Sequence, residues 1–81
     1  MVKVYSTKTC PWCHKVKDFL GGLNVAFEDV DVAADRAAAM EMVKKTGQMG
    51  VPVTEIGDKY IVGFDKEALK SALAEVGLLS E

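Results

Sequence analysis

The sequence predicts an α/β protein whose elements run β-α-β-α-β-β-α within one small domain spanning residues 1–81. Three observations carry that expectation. Runs rich in β-branched and aromatic residues, near 2–6, 25–32, 50–56 and 59–62, are separated by stretches with apolar residues at helical spacing. The first strand, helix and second strand follow one another as in a right-handed parallel unit. Gly57-Asp58 between two apolar runs signals a hairpin.

Composition narrows the function before any motif does. The chain has 81 residues, 49% apolar and 27% charged, the balance of a globular protein. A net charge of −2 gives no reason to expect a nucleic-acid or membrane-surface partner. The chain opens on a strand rather than a basic and then apolar leader, and no apolar run approaches membrane-spanning length. A cytoplasmic monomer is the expectation. In that compartment two cysteines point to catalysis or metal binding before a structural staple. A disulfide across so short a loop would also constrain the unfolded chain little.

Taken in order, Val2-Lys3-Val4-Tyr5 alternates as a strand and leads into Lys8-Thr9-Cys10-Pro11-Trp12-Cys13-His14. Val16, Phe19, Leu20 and Leu23 then recur at helical spacing, so Cys10 falls near an N-cap and Pro11 near the first helical position. Gly21-Gly22 is expected to end this helix in a left-handed cap. Val25 to Val32 reads as the second strand. Asp35 to Thr46 reads as a helix with paired lysines near its end and Gly47 after it. Gly50 to Ile56 and Lys59 to Val62 form the hairpin, with Pro52 at the start of its first strand. Asp65 is placed to cap a last helix. Phe64 and Leu69 are spaced for a hydrophobic staple, and Leu69, Ala72, Leu73 and Val76 form an apolar stripe before Gly77.

The cysteine spacing carries the chemistry. Unpaired N–H groups and the dipole at a helix start favour a thiolate at Cys10, the form that attacks a disulfide. Cys13, one turn along, can reach back to the first sulfur. Such a pair cycles: Cys10 forms a mixed disulfide with the substrate and Cys13 resolves it.

Three pieces in this element order resemble the glutaredoxin family, within the thioredoxin fold. They are Thr9 to His14 after the first strand, Val51-Pro52 before the third, and Gly63-Phe64-Asp65 after the fourth. The resemblance implies a four-stranded mixed sheet with helices on both faces and a cis peptide before Pro52 that sets this loop beside the cysteines. It implies disulfide-containing protein substrates, no tightly bound cofactor, and glutathione or a thioredoxin-reductase-type flavoenzyme as electron donor. Val51 would pair with an extended substrate through its backbone. Gly63, Phe64 and Asp65 would hold the γ-glutamyl end of glutathione; Gln48 reads first as a polar loop residue and second as a contact to the glycine carboxylate. Trp12, where glutaredoxins more often carry tyrosine, suits packing against a partner. Lys8 would bring positive charge to the thiolate, although it stands one residue later than the usual lysine. Gly50 replaces a threonine and Lys66 a small polar or acidic residue, so weak glutathione handling and better reduction by the flavoenzyme are expected.

Other readings share these residues. Cys10, Cys13 and His14 spell the haem-attachment pattern Cys-x-x-Cys-His, but a small helical cytochrome has no use for the strands or Val51-Pro52. A structural zinc site wants four ligands, and these are three. Two chains could bridge an iron–sulfur cluster with glutathione, as some glutaredoxins do.

Overall fold

The computed structural model describes residues 2–48 and 50–77. Strands β1 (Val2–Ser6), β2 (Glu28–Asp31), β3 (Val53–Ile56) and β4 (Lys59–Val62) form one sheet in the order β2-β1-β3-β4. β1 pairs parallel with β2 and antiparallel with β3, and β3 pairs antiparallel with β4. Helices α1 (Pro11–Gly22) and α3 (Lys66–Glu75) cover one face, and α2 (Arg36–Thr46) covers the other. This is the thioredoxin-like α/β arrangement, with a mixed sheet and the element order that the sequence predicts.

Alternation along β1 explains the two layers. Val2 and Val4 point toward α1 and α3, where they meet Val16, Leu20, Leu69 and Leu73; Tyr5 points the other way, onto Met42 of α2. Val4, Val16, Leu20, Ile56, Leu69 and Leu73 are wholly buried. Cutting one such leucine to alanine costs about 2–5 kcal/mol, a large share of a small domain's stability. Thr54 is the exception in this layer. Its hydroxyl is buried and has no hydrogen-bond partner among the described residues.

Three boundaries differ from the sequence reading. α1 runs through Gly21 and Gly22, and its left-handed residue is Asn24, with φ of 59°. The Asn24 N–H donates to the Gly21 carbonyl and that of Val25 to the Leu20 carbonyl, both at 3.0 Å, which is a Schellman ending. Val25 and Leu20 share the core beside it. Val25 is therefore spent on closing the helix, and β2 begins only at Glu28, opposite Lys3 of β1. β3 likewise begins at Val53 rather than Gly50, after the cis Val51–Pro52 peptide, whose proline has no N–H to give a ladder; the end of α2 and the start of α3 agree with the sequence. Asp35 caps α2 through the Ala38 N–H and Gly47 closes it at φ 76°; Asp65 caps α3 through the Ala68 N–H.

Candidate active site

The end of β1 hands the chain through a short turn to α1, and Cys10 becomes the N-cap of that helix. Its backbone is extended (φ −94°, ψ 109°), which turns the side chain over the first helical turn. The Cys13 N–H then donates to Cys10 Sγ at 3.2 Å, so a sulfur takes the place of the usual capping oxygen. Pro11 opens the helix without a wasted donor. Cys10 is half-buried and Cys13 wholly buried. Burial, then the hydrogen bond with Cys10, pushes the Cys13 thiol up to about 11, against the opposing pull of the Thr7 backbone and the Lys17 charge. The two sulfurs thus have unlike surroundings: one meets the surface, the other stays a protonated reserve at neutral pH.

The loop before β3 supplies the facing wall. The Val51–Pro52 peptide is cis, and the Val51 carbonyl oxygen lies 4.0 Å from Cys10 Sγ. The Gly63 N–H donates to the Pro52 carbonyl at 2.8 Å and ties the β4–α3 turn to the same loop. Gly63 has φ of 83°, a conformation that a side chain would strain. Trp12, Val51, Pro52, Gly63 and Phe64 together line a groove of about 320 Å³. Trp12 is 56% exposed, and its ring centroid stands 6.3 Å from that of Phe64, which meets Phe19 edge-on at 5.9 Å. The groove is therefore floored by an aromatic row that runs down to the core.

The polar candidates are distributed differently. Asp65 is exposed and caps α3 just past the groove. Lys8 is exposed in the turn before α1 and does not line the groove. The rim instead carries Lys15, 5.3 Å from the Trp12 ring centroid, and Lys66, 5.7 Å from that of Phe64. Gln48 folds back on Gly50: Oε1 accepts from the Gly50 N–H at 3.0 Å and Nε2 donates to its carbonyl at 3.2 Å. A Cβ on residue 50 would come within 2.7 Å of that Oε1, so the glycine and the glutamine arrangement belong together. His14 is exposed, with Nε2 3.4 Å from the Lys8 carbonyl. Among the described residues no three His, Cys, Asp or Glu side chains gather as a metal site. No described helix is long and apolar enough to cross a membrane.

Sequence reasoning missed one group beside this pair. Lys17 of α1 bonds Asp29 of β2 at 3.1 Å, and the nearly buried Ser6 hydroxyl donates to the same carboxylate at 2.8 Å. These contacts, with a positive charge nearby, hold the Asp29 carboxyl below its ordinary range although partial desolvation opposes them. The available signal was Lys17 itself, four residues past Cys13 and so on the same helix face.

Fold and cysteine pair define a thiol–disulfide redox protein of the thioredoxin fold, with Cys10 and Cys13 as its Cys-x-x-Cys couple. Comparison narrows the class. The glutaredoxin family model matches residues 2–61. A glutaredoxin-like 8.6 kDa protein of the rubredoxin operon of Clostridium pasteurianum is 50% identical over 66 residues, 82% of this chain and 88% of that protein. Glutaredoxin 3 of Escherichia coli K12 is 34% identical over 64 residues, 79% of this chain and 77% of its own. The chain is also similar to a buckwheat glutaredoxin solved as a glutathione complex, with a TM-score of 0.78 at 26% identity, covering 98% of this chain and 81% of that one. The chain belongs to the glutaredoxin family, and it is a glutaredoxin-type disulfide oxidoreductase.

Proposed function

We propose that this protein reduces disulfides in partner proteins, with Cys10 as attacking and Cys13 as resolving sulfur, and that a thioredoxin-reductase-type flavoenzyme regenerates it more readily than glutathione does. The contrast between the two sulfurs carries the order of attack. Cys10 is half-buried, caps a helix and accepts a backbone N–H, whereas Cys13 is enclosed behind it. An incoming disulfide meets Cys10 first. The Val51 carbonyl beside it offers main-chain pairing to an extended polypeptide, and Trp12 and Phe64 offer apolar contact.

The donor preference follows from how the polar groups are used. Gln48 is engaged with Gly50, Lys8 lies outside the groove lining, and Lys66 stands over Phe64 where the family has a small polar or acidic residue. Each charge-assisted contact withheld from glutathione is worth about 1.5–3 kcal/mol when desolvated and less at an open surface. Losing one or two weakens that ligand roughly tenfold. Against this stands the glutathione bound by the buckwheat relative, which favours the glutathione-coupled reading.

One set of assays tests both parts. Cys13→Ser should trap a mixed disulfide through Cys10, and Cys10→Ser should lose all reductase activity. Trapping through Cys13 in the Cys10→Ser variant would reverse the assignment. Run side by side, NADPH with the flavoenzyme should outpace glutathione with glutathione reductase. Efficient turnover by millimolar glutathione alone would overturn the donor preference and leave the dithiol mechanism intact.

A further inference from the structure

The half-buried ion pair beneath α1 has no part in the chemistry described so far. Cys13 and Lys17 are four residues apart on α1 and share a face. Lys17 Nζ lies 3.1 Å from Asp29 Oδ2, and Ser6 Oγ donates to Asp29 Oδ1 at 2.8 Å. The lysine side chain is 19% exposed and the aspartate 50%. Water therefore screens the carboxylate more than the ammonium, so the charge of the pair is felt unequally by a neighbour on the same helix face.

We propose that Lys17, held by Asp29 and Ser6, is a positioning residue for Cys13, supplying a fixed positive charge beside its sulfur as that sulfur becomes anionic to resolve the mixed disulfide. This rests on the reading of Cys13 as the resolving sulfur. In that step Cys13 gives up its proton and its sulfur bonds to Cys10 Sγ. The bond from Cys10 to the substrate sulfur breaks, and the electron pair leaves on the substrate sulfur, which takes up a proton. The substrate disulfide has then gained two electrons and the protein dithiol has lost two.

The need for such a charge comes from the burial of Cys13, which disfavours the anion the step requires. From its own helix Cys13 meets Cys10 and Lys17. Asp29 comes from β2 with its charge tied to Lys17, and His14 acts on that carboxylate from the surface. The residues of β1 and β3 facing α1, among them Val4, Ser6 and Thr54, carry no group that titrates near neutrality. The Thr7 backbone favours the Cys13 anion from the turn before α1, and Lys17 is the charged side chain that adds to it.

The test uses Lys17→Met, Lys17→Gln and Lys17→Arg in the full chain and in a Cys10→Ser background. Resolution is followed as release of substrate thiol from a preformed mixed disulfide on Cys10, across pH. Titration of Cys13 in the Cys10→Ser background is read from thiolate absorbance. Neutralising Lys17 should slow resolution roughly threefold to tenfold near neutral pH and raise the Cys13 inflection by about half to one pH unit. Lys17→Arg should restore both. A pair that only pinned α1 to β2 would move the unfolding midpoint and neither readout. Wild-type rate and inflection in a folded neutral variant, or an arginine variant as slow as the methionine one, would overturn the proposal. Failure of Cys13→Ser to trap a substrate through Cys10 would instead strike the underlying order of attack.

Discussion

Asp65 is given two tasks, capping α3 and meeting the glutathione amine, and two substitutions separate them. Its backbone is extended (φ −117°, ψ 98°) and its carboxylate accepts from the Ala68 N–H at 3.2 Å. Removing such a cap costs about 0.5–2 kcal/mol. With about 1 kcal/mol lost, a domain of this size should melt roughly 4–8 °C lower. Asp65→Ala should show that drop. Asp65→Ser keeps an oxygen acceptor at the same place and should melt close to the parent. The charge tells a different story. Asp65 is exposed, so its contact with an ammonium is worth at most about 1 kcal/mol, or roughly fivefold in affinity. Both variants should lose that factor in glutathione-coupled turnover while retaining reduction by the flavoenzyme. Thermal unfolding by circular dichroism and the two coupled assays make the comparison. If the serine variant melts as low as the alanine variant, the capping argument fails. If both variants use glutathione as the parent does, Asp65 has no part in binding it.

Three further outcomes follow from the same structure. Gly50→Thr should push Gln48 off the Gly50 backbone and restore a hydroxyl, raising glutathione turnover several-fold; unchanged turnover would remove Gly50 from the donor argument. Thr54→Val should raise stability in urea unfolding by about 1 kcal/mol, because an unpartnered buried hydroxyl costs about 1–3 kcal/mol; a loss instead would mean that the hydroxyl is satisfied in solution. The reduced protein should weaken in alkali. Cys13 holds its proton to about pH 11 when folded, against 9.0 for a free thiol, so its contribution is complete below about pH 9 and is lost as pH rises through 11. Tyr5, raised by burial and by its bond to Glu55, adds to the same trend in both redox forms. The difference between reduced and oxidised protein in unfolding free energy should therefore shift by on the order of 2 kcal/mol over that range, and a constant difference would refute the burial argument.

How far a sequence carries depends on whether a feature is local. The N-cap at Asp65, the Gly57-Asp58 hairpin and the cysteine at a helix start each depend on a few neighbouring residues, and each appears where the sequence places it. The end of α1 was ambiguous for a local reason as well. Two consecutive glycines and an asparagine can all turn the chain, and the core positions of Leu20 and Val25 decide for Asn24. The shortened β2 follows from that choice. Lys17, Asp29 and Ser6 lie apart in the chain and meet only through the parallel pairing of β1 and β2 under α1. The Gln48–Gly50 arrangement was hidden differently. The sequence reads Gln48 as a polar loop residue without saying what its amide meets, and the geometry shows both ends of it occupied by a neighbour two residues on.

The aromatic row gives the protein a reporter of its own chemistry. Trp12 is the sole tryptophan of the chain and lies between Cys10 and Cys13 in the sequence, 56% exposed, with its ring against Phe64 at the mouth of the groove. Indole emission responds to hydration and to sulfur close by, so light from this one ring reads both the closing of the Cys10–Cys13 bond and the covering of the groove by a guest. A molecule seated in the groove that Trp12 lines should displace water from the ring and shift its emission to shorter wavelength. Such an encounter can be followed in the unlabelled protein, before any electron has moved.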